Sequence, residues 1–213
     1  MLKDIAFASG FSIKSFGNLK MGNNRIHGFN NWGNESTITD QNIQLETAYH
    51  QEDFFHKSLI KLTNHTFLLF NTQYATSSNI NRFDKLNDIK EGQRKYSHWY
   101  YGPQKRFFQS IRLKNYTKKL LTDESVITFA YQNLEESRHK QKTGEELLSN
   151  RSELLDIFDF KSDFMKQYSK LKLNYGIDFR HQNLNSEATL SKNNNLYYNT
   201  TRYPDEGSQV INY

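Results

Sequence analysis

Apolar and polar positions alternate with period two along most of the chain. Between Lys170 and His181, Leu171, Leu173, Tyr175, Ile177 and Phe179 fall on one side. Lys170, Lys172, Asn174, Gly176, Asp178 and Arg180 fall on the other. A helix would scatter these residues around its axis, whereas a strand points successive side chains to opposite faces. The same alternation places Ile5, Phe7, Phe11 and Ile13 opposite Ala6, Ala8, Gly10, Ser12 and Lys14. It places Phe107, Ile111 and Leu113 opposite Ser110, Arg112 and Lys114, and Ile127, Phe129 and Tyr131 opposite Thr128, Ala130 and Gln132. Phe158, Phe160 and Phe164 oppose Asp159, Lys161 and Asp163. Two segments are less clean: Asp53 to Leu62, and Leu68 to Tyr74, where Phe67 and Leu69 blur the pattern. A last strand begins near Ser208. The pattern predicts about eight strands and no helical heptads.

Several of these strands run to roughly 10–14 residues, against 5–6 in soluble sheets and the 9–11 that cross a bilayer in a barrel. The predicted connections alternate in length. Thr63-Asn64-His65, Thr117 to Glu124 and Met165 to Ser169 are short. Gly17 to Asn42, Ser77 to Gln104, Arg138 to Asn150 and Gln182 to Gly207 are longer. Short turns at one rim and long loops at the other suit an outer-membrane barrel. A soluble β-sandwich shares the period-two pattern, so strand length and rim asymmetry carry the argument.

Composition agrees. Aromatics make up 15% of the 213 residues, which excludes disorder over the whole length and suits membrane interfaces. With only Pro103 and Pro204, long strands can run uninterrupted. No apolar run approaches the roughly 20 residues of a spanning helix. The start, Met1 to Ala8, does not read as a signal peptide. Cysteine is absent, which removes disulfides, thiolate metal sites and Cys nucleophiles. The net charge of +5 fits nucleic acid, an anionic surface or a plain solvated surface, and alone chooses none of them.

No catalytic motif is present: no Gly-x-Ser-x-Gly, no phosphate loop, no His-Glu-x-x-His. The seven histidines are scattered. His27, His98, His139 and His181 fall near the long-loop rim, where solvated roles outweigh metal capture, so neither a metal site nor a cofactor is expected. Glu135 and Glu136 adjoin, but on a strand they point to opposite faces and cannot converge on a substrate. Trp99 to Arg106 is the densest cluster. It reads either as an aromatic and cationic ligand platform or as an interface girdle leading into a strand, with Gly102-Pro103 bending the chain. Single-stranded nucleic acid is the weaker reading, since no binding-fold signature accompanies the basic and aromatic residues.

The chain resembles the barrel of TonB-dependent outer-membrane receptors, especially those of Bacteroidota. The residues that carry the resemblance come in order: His27 to Gly33, Ser77 to Leu86, Trp99 to Arg106, Tyr131 to Arg138, then Tyr175 to Asp178. It covers almost the whole chain. One departure is Asn81, where relatives usually carry Pro before the Arg-aromatic-Asp. The signal peptide, the TonB-contacting motif and the plug domain of such receptors are not in this sequence.

The resemblance implies an all-β fold: an antiparallel transmembrane β-barrel segment over residues 1–213, an incomplete barrel with short periplasmic turns and long extracellular loops. It implies an internal fragment or truncated product of an outer-membrane transporter, not an enzyme. Such a receptor takes up a scarce ligand, such as a ferric siderophore, haem, cobalamin or an oligosaccharide. Its partners would be outer-membrane lipid, that ligand, the plug domain and TonB, with no nucleic acid. The ligand-binding residues expected at the mouth are Arg82, Trp99, Tyr100, Tyr101 and Arg106. The basic loop residues Arg25, Arg82, Lys85, Lys95 and Arg106 lean toward an anionic ligand, against Asp84, Asp88 and Glu91. Arg112, Lys114, Lys172, Asp178 and Arg180 would line the lumen. The rivals are a soluble β-sandwich or open barrel that holds a glycan through Trp99 to Tyr101, and a barrel-embedded enzyme, for which no converging Ser/His/acid set exists.

Overall fold

A computed structural model describes residues 4–22, 39–40, 42–193, 195–204 and 207–212. The motif from His27 to Gly33, and Arg25, lie outside the described residues. The rest is almost entirely β-structure. Eight strands form one wall: β1 (Ile5–Phe16), β2 (Tyr49–Lys61), β3 (Thr66–Ser77), β4 (Lys105–Asn115), β5 (Glu124–Lys142), β6 (Leu148–Tyr168), β7 (Leu171–Lys192) and β8 (Ser208–Asn212). Each pairs antiparallel with its neighbour in sequence, so the wall is an up-and-down meander. A short strand, Asn195–Tyr198, also pairs with the far end of β7. Among the described residues β1 does not pair with β8, and the sheet is open.

The register unites the separate alternations. Ile60 on β2 lies between Ile5 and Leu68. Phe70 pairs with Ile111, Ile111 with Phe129, Phe129 with Phe160, and Phe160 with Phe179. Because the side-chain period is two, a slip of one residue anywhere would break this row. None occurs between the wall strands, so the apolar sets of β1 to β7 share one face. That face is uncovered: Phe7 is 72% exposed and Ile177 64%. Phe11, Ile13, Phe129, Phe158 and Leu171 are exposed too.

The opposite face carries the ion pairs and most of the small residues, together with an apolar patch of Phe55, Leu59, Leu69 and Phe108 on β2 to β4. Arg180 bonds Asp159 through Nε at 2.5 Å, and Lys14 bonds Asp53 at 2.7 Å. Arg112 donates to Thr128 at 3.1 Å. Hence the apolar residues do not converge on an interior. Among the described residues the buried hydrophobic side chains are Leu86, Trp99 and Ala188. Among the described residues no second layer of secondary structure covers the apolar face.

The rims are asymmetric, with one correction. Leu62–His65, Tyr116–Asp123 and Ser169–Lys170 join strands at one rim. At the other rim, the connections expected from Arg138 to Asn150 and from Gln182 to Gly207 are not loops throughout. β5 continues to Lys142, β6 begins at Leu148 and β7 continues to Lys192, giving strands of 19, 21 and 22 residues. Beyond the apolar band the two faces are no longer distinct: Leu134, Leu155 and Leu184 are register partners on the face that is polar below, and Leu154 lies on the other, so alternation disappears while the ladder persists.

Candidate functional site

The connection between β3 and β4 folds over the long-loop rim. It holds one helical turn, α1 (Phe83–Leu86), and a short strand, Tyr96–Tyr101, that pairs with the upper end of β5. Between them, Ile89–Lys90 and Gln93–Arg94 make a small hairpin. Its two turn residues, Glu91 and Gly92, have φ of 52° and 76°, as a two-residue hairpin turn requires. The pairing of Tyr101 with Arg138 and Trp99 with Lys140 puts both rings on the polar face.

There they form a small packed centre. Leu86 is 2% exposed and Trp99 7%, flanked by Phe83, Tyr96 and Tyr101. Trp99 and Tyr101 meet edge to face at 5.3 Å. Arg82 lies over Trp99 at 4.7 Å and over Tyr101 at 6.0 Å. Arg138 lies 5.8 Å from both ring centres. Two guanidinium groups thus flank one aromatic pair, an arrangement that exploits the negative ring faces. Arg82 is fixed by a bidentate pair to Asp84, with Nε–Oδ1 2.9 Å and Nη2–Oδ2 2.5 Å. Burial pushes the Asp84 carboxyl up, but the Arg82 bonds and charge outweigh it and hold the group below the usual range. Arg82 also donates to the Tyr101 hydroxyl at 3.4 Å.

The five expected ligand residues therefore separate. Arg82, Trp99 and Tyr101 come together, but with Trp99 enclosed they form a packed cluster rather than an open platform. Tyr100 faces the other way and stacks on His139 at 4.6 Å and 15°. Burial there pushes its hydroxyl pKa up. His139 is held between Asn150 at 2.7 Å and Ser137 at 3.0 Å. Arg106 bonds Gln132 at 3.1 Å and lies over Phe108 at 5.9 Å. Glu135 and Glu136 do point to opposite faces, with Glu135 paired to Lys105 at 3.1 Å.

Sequence reasoning missed Arg151. Arg138 and Arg151 are direct register partners on the polar face, and Glu136 and Glu153 are partners two positions along, on the same face. The Nε atoms of Arg138 and Arg151 are buried without a hydrogen-bond partner. Like charges directly opposite on a sheet repel, so this pair suits an added anion. The signal lay in the register, which no local pattern carries. Among the described residues, no cluster of three or more His, Cys, Asp or Glu is placed to hold a metal ion. Compared with protein families, curated proteins and solved structures, the chain matches none of them.

Proposed function

We propose that this chain is a wall segment of an outer-membrane β-barrel of the TonB-dependent receptor kind, serving active uptake of a scarce ligand. One observation carries the reading. One alternating apolar set from each of seven consecutive strands forms a continuous exposed face, while the ion pairs Lys14–Asp53, Lys161–Asp178 and Arg180–Asp159 lie on the other. Lipid outside and a polar lumen inside fit that division. No helix among the described residues is long and apolar enough to cross a membrane, and barrels cross with strands.

On this reading the short turns lie in the periplasm and the long hairpins outside the cell. The charges on the polar face meet water or a plug domain, and TonB drives that plug in the full-length protein. The ligand is anionic, a ferric siderophore or haem being the leading class. Arg138 and Arg151 supply positive charge at the mouth, whereas Arg82 is neutralised by Asp84. The chain performs no chemical reaction. The glycan-binding β-sandwich is less well supported. It needs Leu171, Tyr175 and Phe179 buried and Trp99 open, whereas the three are exposed and Trp99 is enclosed.

Folding with and without lipid tests this. The full chain should gain strand circular dichroism and protease resistance in phospholipid vesicles, and aggregate in lipid-free buffer. A monomeric, protease-resistant fold without lipid or detergent would overturn the membrane reading.

A further inference from the structure

The turn between β4 and β5 is firmly built, yet it directs two leucines outward. Lys119 N–H donates to the Thr122 carbonyl and Asp123 N–H to the Met165 carbonyl, both at 2.7 Å. Asp123 accepts from Lys166 Nζ and from Gln167 N–H, each at 2.9 Å. Lys166 Nζ also donates to the Lys119 carbonyl at 2.7 Å, and the Tyr175 hydroxyl donates to the Leu121 carbonyl at 2.9 Å. Held this way, the tip cannot collapse onto the sheet. Leu120 is 88% exposed and Leu121 68%.

The tip also leans to one side. Lys166 pairs with Leu173, and Phe164 pairs with Tyr175, so Lys166 and Tyr175 both belong to the apolar face. The turn is fastened to that face, and its leucines prolong the band beyond Leu171 and Leu173. Lys118 and Lys119 flank them, both exposed, and Lys170 is exposed on the next turn. The nearby carboxylates do not cancel this charge. Asp123 is taken by Lys166, and Glu124 pairs with Met165 on the polar face.

We propose that Lys118 to Leu121 is an interfacial hook for anionic phospholipid. Leu120 and Leu121 enter the acyl boundary, while Lys118 and Lys119 bind the headgroup phosphate. This rests on the membrane reading above. Apolar tips flanked by lysines partition in this way, the charges reaching up to the headgroups. A protein partner fits less well, because two leucines supply far less than the roughly 1,200–2,000 Å² of a stable interface.

The chain has no cysteine, so Leu120→Cys and Ile177→Cys each give a single labelling site on the full chain. Each carries an environment-sensitive fluorophore, and the chain is folded into vesicles of phosphatidylcholine with phosphatidylglycerol. Nitroxides placed near the headgroup should quench the label at 120, and nitroxides deep in the acyl chain the label at 177. Replacing Lys118→Gln and Lys119→Gln together should lower the preference for phosphatidylglycerol over pure phosphatidylcholine vesicles by about fivefold for each lysine. A label at 177 that is quenched, beside one at 120 that stays open to aqueous iodide, overturns the hook and leaves the wall reading standing. A label at 120 shielded from iodide but not quenched by lipid also overturns it, in favour of a second copy or a protein. If neither label is quenched, the wall reading itself fails and the hook with it. An unchanged lipid preference in the lysine variant overturns headgroup binding.

Discussion

Gly176 on β7 lies directly against the backbone of Ser162 on β6. A Cβ at position 176 would sit 2.1 Å from the Ser162 carbonyl oxygen and 3.1 Å from its carbonyl carbon. Backbone cannot swing aside as a side chain can. Asp163, the register partner of Gly176, is fixed by the same ladder. Gly176→Ala should therefore strain the β6–β7 seam and cost about 1–3 kcal/mol. Urea titration of the chain folded in detergent or lipid would measure this, and an unchanged midpoint would contradict the close approach.

Ile177, the next residue, faces the other way. Ile177→Arg should cost about 2–4 kcal/mol if the site lies at the bilayer midplane. Asp178→Arg on the polar face removes an exposed contact to Lys161 at 3.9 Å and should change stability by less than about 1 kcal/mol. The contrast matters more than either value. Equal costs in a folding titration would remove the lipid-facing assignment of this strand.

Trp99 organises the rim loop, since Leu86, Tyr96, Tyr101, Arg82 and Arg138 all gather around it. Trp99→Ala should cost the rim about 3–5 kcal/mol while sparing the distant wall. Amide hydrogen exchange would read this locally. Faster exchange should appear at Arg82, whose N–H donates to the Trp99 carbonyl at 3.0 Å, and not along β1 and β2.

The wall was legible in the sequence because one face of each strand differs sharply from the other. Leu171 to Phe179 announce themselves, and the register merely joins them to Phe158 and Phe160. Beyond Gln132 on β5 that contrast is lost, and the strand end was not readable. Trp99, Tyr100 and Tyr101 were legible as a cluster, yet their division between two faces depends on pairing with residues 138 to 140. The Arg138–Arg151 pair depends on which residue of β6 opposes which of β5, a fact fixed by the hairpin between them.

That pair gives a prediction of its own. Two guanidinium groups held opposite each other repel by about 0.2–1 kcal/mol relative to a neutral pair. Arg151→Gln should therefore stabilise the chain slightly in low salt, with the gain fading as salt screens the charges. A loss of stability would mean that Glu136 or Glu153 neutralises the pair in solution.

At the opposite rim, acid should loosen the turn that carries Leu120 and Leu121. The Lys166 hydrogen bond, the Gln167 N–H and the nearby lysine charges together hold the Asp123 carboxyl below its usual range, against the opposing effect of burial. A carboxyl with a depressed folded pKa contributes stability above its unfolded value of about 3.9 and loses it as pH falls through the folded value. The turn should stay closed at neutral pH and open only below about pH 4, as Asp123 releases Lys166. Hydrogen exchange at the Gln167 amide should follow that titration. Asp123→Asn should flatten its pH dependence, because the single amide oxygen keeps the Gln167 N–H bond without titrating, although the Lys166 bond to the other oxygen is lost. A persistent acid transition in that variant would move the responsible group to another carboxylate at the rim, such as Glu124.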